Sequence, residues 1–300
     1  MPGQARHDDK VIYTEANQAM IDLIKKRFDE YKAANPAAEE QALKEVLQEI
    51  ILYALWRTGF FDVAAFQGGT CLRILHRLPR FSEDLDFILK EPDSGFAWSD
   101  YLRKLAGLLE EFGLKSETVD KSRMDKNLKK AVLKDSSLVN ALSLSFLRGN
   151  SAKKLQIKLE IDINPPEGSE FEFSFLDFPA DYEVCHQDIN SNLALKIHAL
   201  LCRPYVKGRD WYDFGWYAKQ NVHPNLRLLK AALYQYGPWQ GKKLTVNETW
   251  LKQALLEKIS GIDWTAAAVD VERFLNTTEK EGLKLWSERF FSGKVDKLLP

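Results

Sequence analysis

The chain has 300 residues, 45% of them hydrophobic and 28% charged, with a formal net charge of −1. That balance suits a folded protein with a real core; it argues against disorder and against wholesale coating of nucleic acid, while leaving room for a local basic cleft. No apolar run reaches the roughly eighteen residues of a membrane span, and MPGQARHDDK opens no signal peptide, so a cytoplasmic location is expected.

Cys71, Cys185 and Cys202 are odd in number and widely spaced, which reads as reduced thiols with no zinc-knuckle spacing. The five histidines are scattered and make no HExxH pattern. In chain order, residues 14–34 carry a helical stripe that Asn35-Pro36 stops. A second helix over 39–58 presents a wide apolar face, with Gly59 as its natural end. Residues 61–66 are a strand or an extended lead-in. Gly68-Gly69-Thr70 then opens a short helix, and the basic connection Arg73, His76, Arg77, Arg80 leads to a strand at Asp84 to Leu89.

Residues i and i+2 on a strand point to one face. Asp84 and Asp86 therefore set two carboxylates together while Leu85 and Phe87 enter the core. Like charges so placed repel unless a cation lies between them, and oxygen donors select a hard divalent one. Glycines at a helix start expose backbone N–H groups, an anion site. An anion cradle beside a metal pair is what nucleotidyl transfer needs.

A helix follows over 98–112. The lysine-rich stretch 115–134 is the best candidate for a basic, RNA-facing patch. Residues 139–147 and 154–163 read as a hairpin. On the second of these strands Leu155, Ile157, Leu159 and Ile161 face the core, while Lys158, Glu160 and Asp162 face the other way. Either acid can join Asp84 and Asp86; a solvated charge ladder is the plainer alternative. Asn164-Pro165-Pro166 ends the strand, and 171–178 and 182–185 are extended. Asp188 or Asn190 caps a helix to about Leu201. Within it Lys196, set among leucine, alanine and isoleucine, must reach water, a carboxylate or a phosphate. Asp210, Asp213 and Tyr217 share a side of the next helix, where Arg209 and Asp213 suit an i,i+4 pair. His198 is a packing residue. Four further helices are expected over 226–236, 248–259, 264–275 and 280–299.

At GGTCLRILHRLPRFSEDLDFIL the chain resembles the AbiEii/AbiGii-type nucleotidyltransferase toxins, a branch of the DNA polymerase β-like, minimal nucleotidyltransferase superfamily. The blocks are Gly68-Gly69-Thr70, then Arg80-Phe81-Ser82-Glu83-Asp84-Leu85-Asp86-Phe87, then Lys158-Leu159-Glu160-Ile161. Ala194-Leu195-Lys196-Ile197-His198-Ala199-Leu200 followed by Arg209-Asp210-Trp211-Tyr212-Asp213 completes them. The resemblance implies an α+β nucleotidyltransferase core, a mixed sheet flanked by helices, followed by a helical C-terminal region. Its divisions would be N-terminal helices over 1–60, the sheet core over 61–187, and a helical region over 188–300 that brings Lys196 and Asp210 to the cleft.

It further implies that Asp84, Asp86 and a third acid, Glu160 or Asp162, hold one or two Mg²⁺ ions. Gly68, Gly69 and Thr70 would bind the triphosphate of an NTP, joined by Arg80, Ser82, Lys158 and Lys196, with Asp210 as a further site residue. The implied activity is transfer of NMP to an RNA 3′ end, tRNA included, by a toxin with an antitoxin partner or a phage-defence role. The alternatives are NMP transfer to a protein side chain, and a non-catalytic RNA- or protein-binding module with a degenerate site.

Overall fold

Asn35-Pro36 starts a helix, while the helix before it, expected to run on to 34, has already ended at residue 29. The Asn35 side chain accepts a hydrogen bond from the Ala38 N–H at 3.0 Å, and Pro36, with no N–H to leave unpaired, takes the first helical position. The computed structural model describes residues 18–121, 127–135 and 155–299. Helix α1 covers 18–29 and α2 is Pro36–Arg57. The described residues fall into two compact units, each assembled from separate segments of chain.

The first unit takes the chain up to Ala64, Glu83–Asn164 and Phe173–Val184. It contains α1, α2, β2 (Asp84–Leu89), α4 (Trp98–Glu111), β3 (Ser116–Asp120), β4 (Leu128–Asp135) and β5 (Leu155–Asp162). The strand order is β3-β4-β5-β2. β3 with β4 and β4 with β5 are antiparallel, whereas β2 and β5 run parallel, so the sheet is mixed. Leu85, Phe87, Leu133, Ile157, Leu159 and Ile161 are buried. Phe60 stacks on Trp98 with centroids 5.5 Å apart and meets Phe87 edge-on at 4.9 Å, closing the core under α4. Arg27 of α1 grips the buried Glu49 of α2 through Nε and Nη2 at 2.9 and 3.0 Å.

The second unit takes Ala65–Ser82, Pro165–Glu172 and Cys185 onward. Its β1 (Ala64–Gln67) runs parallel to β7 (Tyr182–Gln187), with Phe66 opposite His186. β6 (Phe171–Leu176) neighbours β7, and the unit boundary cuts through all three of these strands. α3 is Gly68–His76, α5 Ile189–Cys202, α6 Gly208–Gln220, α7 Leu226–Gln235 and α8 Glu248–Ser260. α9 is Trp264–Glu272, α10 Thr277–Gly282 and α11 Glu288–Leu298. Leu193, Ile197, Trp211, Phe214, Leu229, Leu255 and Phe291 form one apolar cluster, and Trp264 stacks on Phe291 at 4.2 Å.

Two element readings change. The stretch 115–134 holds β3 and most of β4, and β4 is the antiparallel partner of β5; the strand expected over 139–147 lies outside the described residues. The single helix expected over 280–299 is interrupted, because Ser287 caps α11 by accepting from the Phe290 N–H at 3.2 Å. Asp188, rather than Asn190, caps α5, accepting from the N–H groups of Ser191 and Asn190 at 3.0 and 3.2 Å.

Candidate active site

In the first unit the acids follow from strand parity. Asp84 and Asp86 are half-buried while Leu85 and Phe87 are buried. The parallel register sets Asp84 beside Lys158, Asp86 beside Glu160 and Ile88 beside Asp162. Side chains of laterally paired residues share a sheet face, so Asp84, Asp86 and Glu160 form a contiguous acidic patch. Asp162 sits one register step beyond, next to Ile88, and its Oδ1 accepts from the Asn164 N–H at 2.9 Å. Lysines from the same sheet offset the charge: Lys130 Nζ lies 3.1 Å from Glu160 and Lys158 Nζ 3.8 Å from Asp84. The basic stretch thus places Lys130 against the acids.

In the second unit, Gly68 and Gly69 are required for different reasons. Gly68 has φ +76°, a left-handed conformation that costs an L side chain about 1–2 kcal/mol. Gly69 has an ordinary backbone, but a Cβ there would overlap Arg80 Nη2 and crowd Ser82 Oγ at 3.2 Å. The guanidinium of Arg80 lies over the glycine, buried, and binds Asp213 in a fork at 2.6 and 2.7 Å. Lys196 Nζ contacts Asp210 at 2.8 Å and Asp213 at 2.9 Å, and Arg203 also bonds Asp210.

Burial alone would raise the carboxyl pKa of Asp213, but Arg80 and Lys196 outweigh it and hold it below the usual range. Asp210 is likewise held low, against burial, by Lys196 and Arg203. Burial would lower the pKa of the Lys196 ammonium, and the two aspartates raise it above its ordinary value. Three cations (Arg80, Lys196, Arg203) meet two carboxylates, so this network keeps one net positive charge. Asn192 accepts from the Gly68 N–H through Oδ1 at 3.2 Å. Its own Nδ2 is buried with no hydrogen-bond partner among the described residues, a donor that lacks an acceptor.

The sequence-derived candidates thus fall in two sets. Asp84, Asp86, Lys158, Glu160 and Asp162 lie on adjacent strands of the first unit, and Gly68, Gly69, Thr70, Arg80, Ser82, Lys196 and Asp210 lie in the second. Helix spacing makes Arg209 and Asp213 a possible i,i+4 pair; the structure adds Arg80 and Lys196 as partners of Asp213, and the Arg209 guanidinium lies 4.5 Å over the Phe274 ring. Asn192 carried no sequence signal beyond standing one turn before Lys196. His198 Nε2 lies 3.2 Å from the Tyr236 carbonyl.

Three other side chains gather in the second unit. Cys71 Sγ and one ring nitrogen each of His76 and His186 lie within 4.8 Å of one another. Among the described residues this is the one group of three ligating side chains so close. The oxygens of Asp84, Asp86 and Glu160 are spread wider, and a shared ion would have to draw them in.

A mixed sheet with an Asp-x-Asp strand, a Gly-Gly-Thr turn opening a helix and a helical C-terminal region is the architecture of the polymerase-β-like nucleotidyltransferases. Within that class the chain belongs to the nucleotidyl transferase AbiEii toxin family of type IV toxin–antitoxin systems, whose profile matches residues 50–290. Two solved structures from Helicobacter pylori are similar to it. JHP933 is 17% identical, with a TM-score of 0.51, over 87% of this chain and 92% of its own. Another chain, provisionally described as a nucleotidyltransferase, is also 17% identical, with a TM-score of 0.44, over 85% and 96%. No curated protein matches the chain.

Proposed function

We propose that this chain is a Mg²⁺-dependent nucleotidyltransferase that moves NMP from an NTP to an RNA 3′ end, tRNA among the acceptors. We further propose that it acts as a toxin restrained by an antitoxin protein. The observation that carries the proposal is the register of β2 against β5, which sets Asp86 beside Glu160 on the face that also holds Asp84. Three half-buried carboxylates are the donor set of a hard divalent ion and of no soft one. When bound, such an ion stabilises charge developing on the phosphoryl group and lowers the pKa of the acceptor hydroxyl. Asp84, Asp86 and Glu160 would hold it, with Asp162 ordering the turn that follows β5.

On the side of the triphosphate, the net positive network of Arg80, Lys196 and Arg203 supplies fixed charge. Asn192 Nδ2 supplies a donor without a partner among the described residues, and the residue before α3, Gln67, makes no side-chain capping bond to the helix, which suits an anion at that helix start. Thr70, Ser82 and Lys158 complete the proposed nucleotide contacts, and Asp210 acts by holding Lys196.

The test incubates purified protein with each labelled NTP, Mg²⁺, total RNA and a protein extract, and separates the acceptors. Asp86→Ala should lower transfer at least about a hundredfold. Equal transfer by wild type and variant removes the assignment. Label on protein replaces the RNA acceptor, and salt-sensitive RNA binding with no transfer makes the chain a binding module.

A further inference from the structure

The group Cys71, His76 and His186 has no part in nucleotide transfer as proposed, yet its chemistry is specific. Cys71 lies in the first half of α3, His76 is that helix's last residue, and His186 stands on β7. Cys71 and His186 are buried, and His76 is half-buried. His186 Nδ1 lies 3.0 Å from the Gln187 carbonyl. A carbonyl only accepts, so Nδ1 carries the hydrogen and Nε2 of the neutral ring keeps the lone pair. A backbone carbonyl that fixes the tautomer in this way is the usual outer partner of a metal-binding histidine. His76 Nε2 is buried with no hydrogen-bond partner among the described residues. The two imidazoles meet edge to face with centroids 5.9 Å apart.

We infer that Cys71, His76 and His186 bind a soft or borderline divalent ion, Zn²⁺ by first preference, at a site separate from the carboxylates. One sulfur and two imidazole nitrogens are zinc donors. A tetrahedral ion with sulfur at about 2.3 Å and nitrogen at about 2.0–2.1 Å separates its donors by about 3.3–3.6 Å. The present separations, within 4.8 Å, need a contraction of an ångström or so, within rotamer adjustment of a histidine at a helix end. Binding exchanges the Cys71 thiol proton for the ion and releases that proton to solvent. A water fills the fourth position. The ion would tie both halves of α3, the helix that begins at Gly68-Gly69-Thr70, to β7 and so stiffen the glycine turn. The three ligands come from residues 71, 76 and 186, so local spacing holds no trace of the site.

The test uses the full chain with Zn²⁺ and with Co²⁺ as the spectroscopic probe, and no nucleotide. One equivalent of Co²⁺ should bring a thiolate-to-cobalt charge-transfer band and the visible bands of a tetrahedral ion, both erased by stoichiometric Zn²⁺ and untouched by excess Mg²⁺. Cys71→Ala should abolish the charge-transfer band. His76→Gln, at the half-buried end, should weaken Zn²⁺ binding about a hundredfold, one ligand's share of a small site, and decides the matter should Cys71→Ala fail to fold. Asp86→Ala should keep full Co²⁺ absorption, so loss of transfer and loss of this site are separate outcomes. No band at one equivalent, or a band unchanged in either ligand variant, overturns the site.

Discussion

Gly69→Ala sets two effects of opposite sign against each other. Gly69 lies in the first turn of α3, and alanine there improves helix propensity by up to about 1 kcal/mol. Against this, the new methyl overlaps Arg80 Nη2. The end of a free arginine would swing aside at small cost, but this one is buried and bound at 2.6 and 2.7 Å to Asp213. Displacing it gives up at least one charge-assisted bond, about 1.5–3 kcal/mol, and both if the fork opens. The net is a destabilisation of about 2 kcal/mol, a fall in Tm of about 3 °C at this chain size. Thermal and urea unfolding measure it. In an Arg80→Ala background the overlap with the guanidinium is gone and only the tight contact with Ser82 Oγ at 3.2 Å is left, which a small shift of the hydroxyl relieves, so Gly69→Ala should be neutral or stabilising by up to about 1 kcal/mol. A Gly69→Ala protein as stable as wild type, or a penalty that persists without Arg80, would refute the account of why glycine stands there.

Further outcomes follow from the same network. Asp213→Asn leaves Arg80 and Lys196 buried beside a neutral partner and should cost about 3–5 kcal/mol, read from the urea midpoint; a loss below about 1 kcal/mol would mean these cations reach solvent. The native carboxyl pKa values of Asp210 and Asp213 are depressed, so their stabilisation is present above the ordinary carboxylate range and lost as pH falls through the depressed values. Wild type should therefore lose stability in acid more steeply than Asp213→Asn, and parallel curves would contradict the pairing. Asn192→Asp puts negative charge on the acceptor of the Gly68 amide and should weaken NTP binding at least about tenfold, measured by competition with a labelled NTP; unchanged affinity would take the glycine turn away from the triphosphate.

Much of the sheet was legible because period-2 alternation is a local signal. The parity of Asp84 against Leu85, and of Glu160 against Leu159, follows from the chain itself. The choice between Glu160 and Asp162 was not legible, since both share a face and only the partner strand distinguishes their positions: the β2–β5 register sets Glu160 against Asp86 and Asp162 against Ile88. Lys196 was legible as a cation needing a partner, but not the partner. Helix spacing offered only Arg209 for Asp213, whereas a fully buried carboxylate requires buried cations, and Arg80 and Lys196, distant in sequence, supply them. The break at Ser287 was hidden because the apolar stripe continues on both sides of the cap.

The link between Arg80 and Asp213 spans 133 positions of the chain. During synthesis, then, the guanidinium emerges from the ribosome long before its carboxylate exists, and until Asp213 follows it has no reason to leave water and lie across Gly69. A nascent or prematurely terminated chain can already carry the complete Gly-Gly-Thr and Asp-x-Asp sequences and still lack the charge network of the second unit. For a member of a toxin family, assembly order itself delays the finished glycine turn until more than two thirds of the polypeptide has been made.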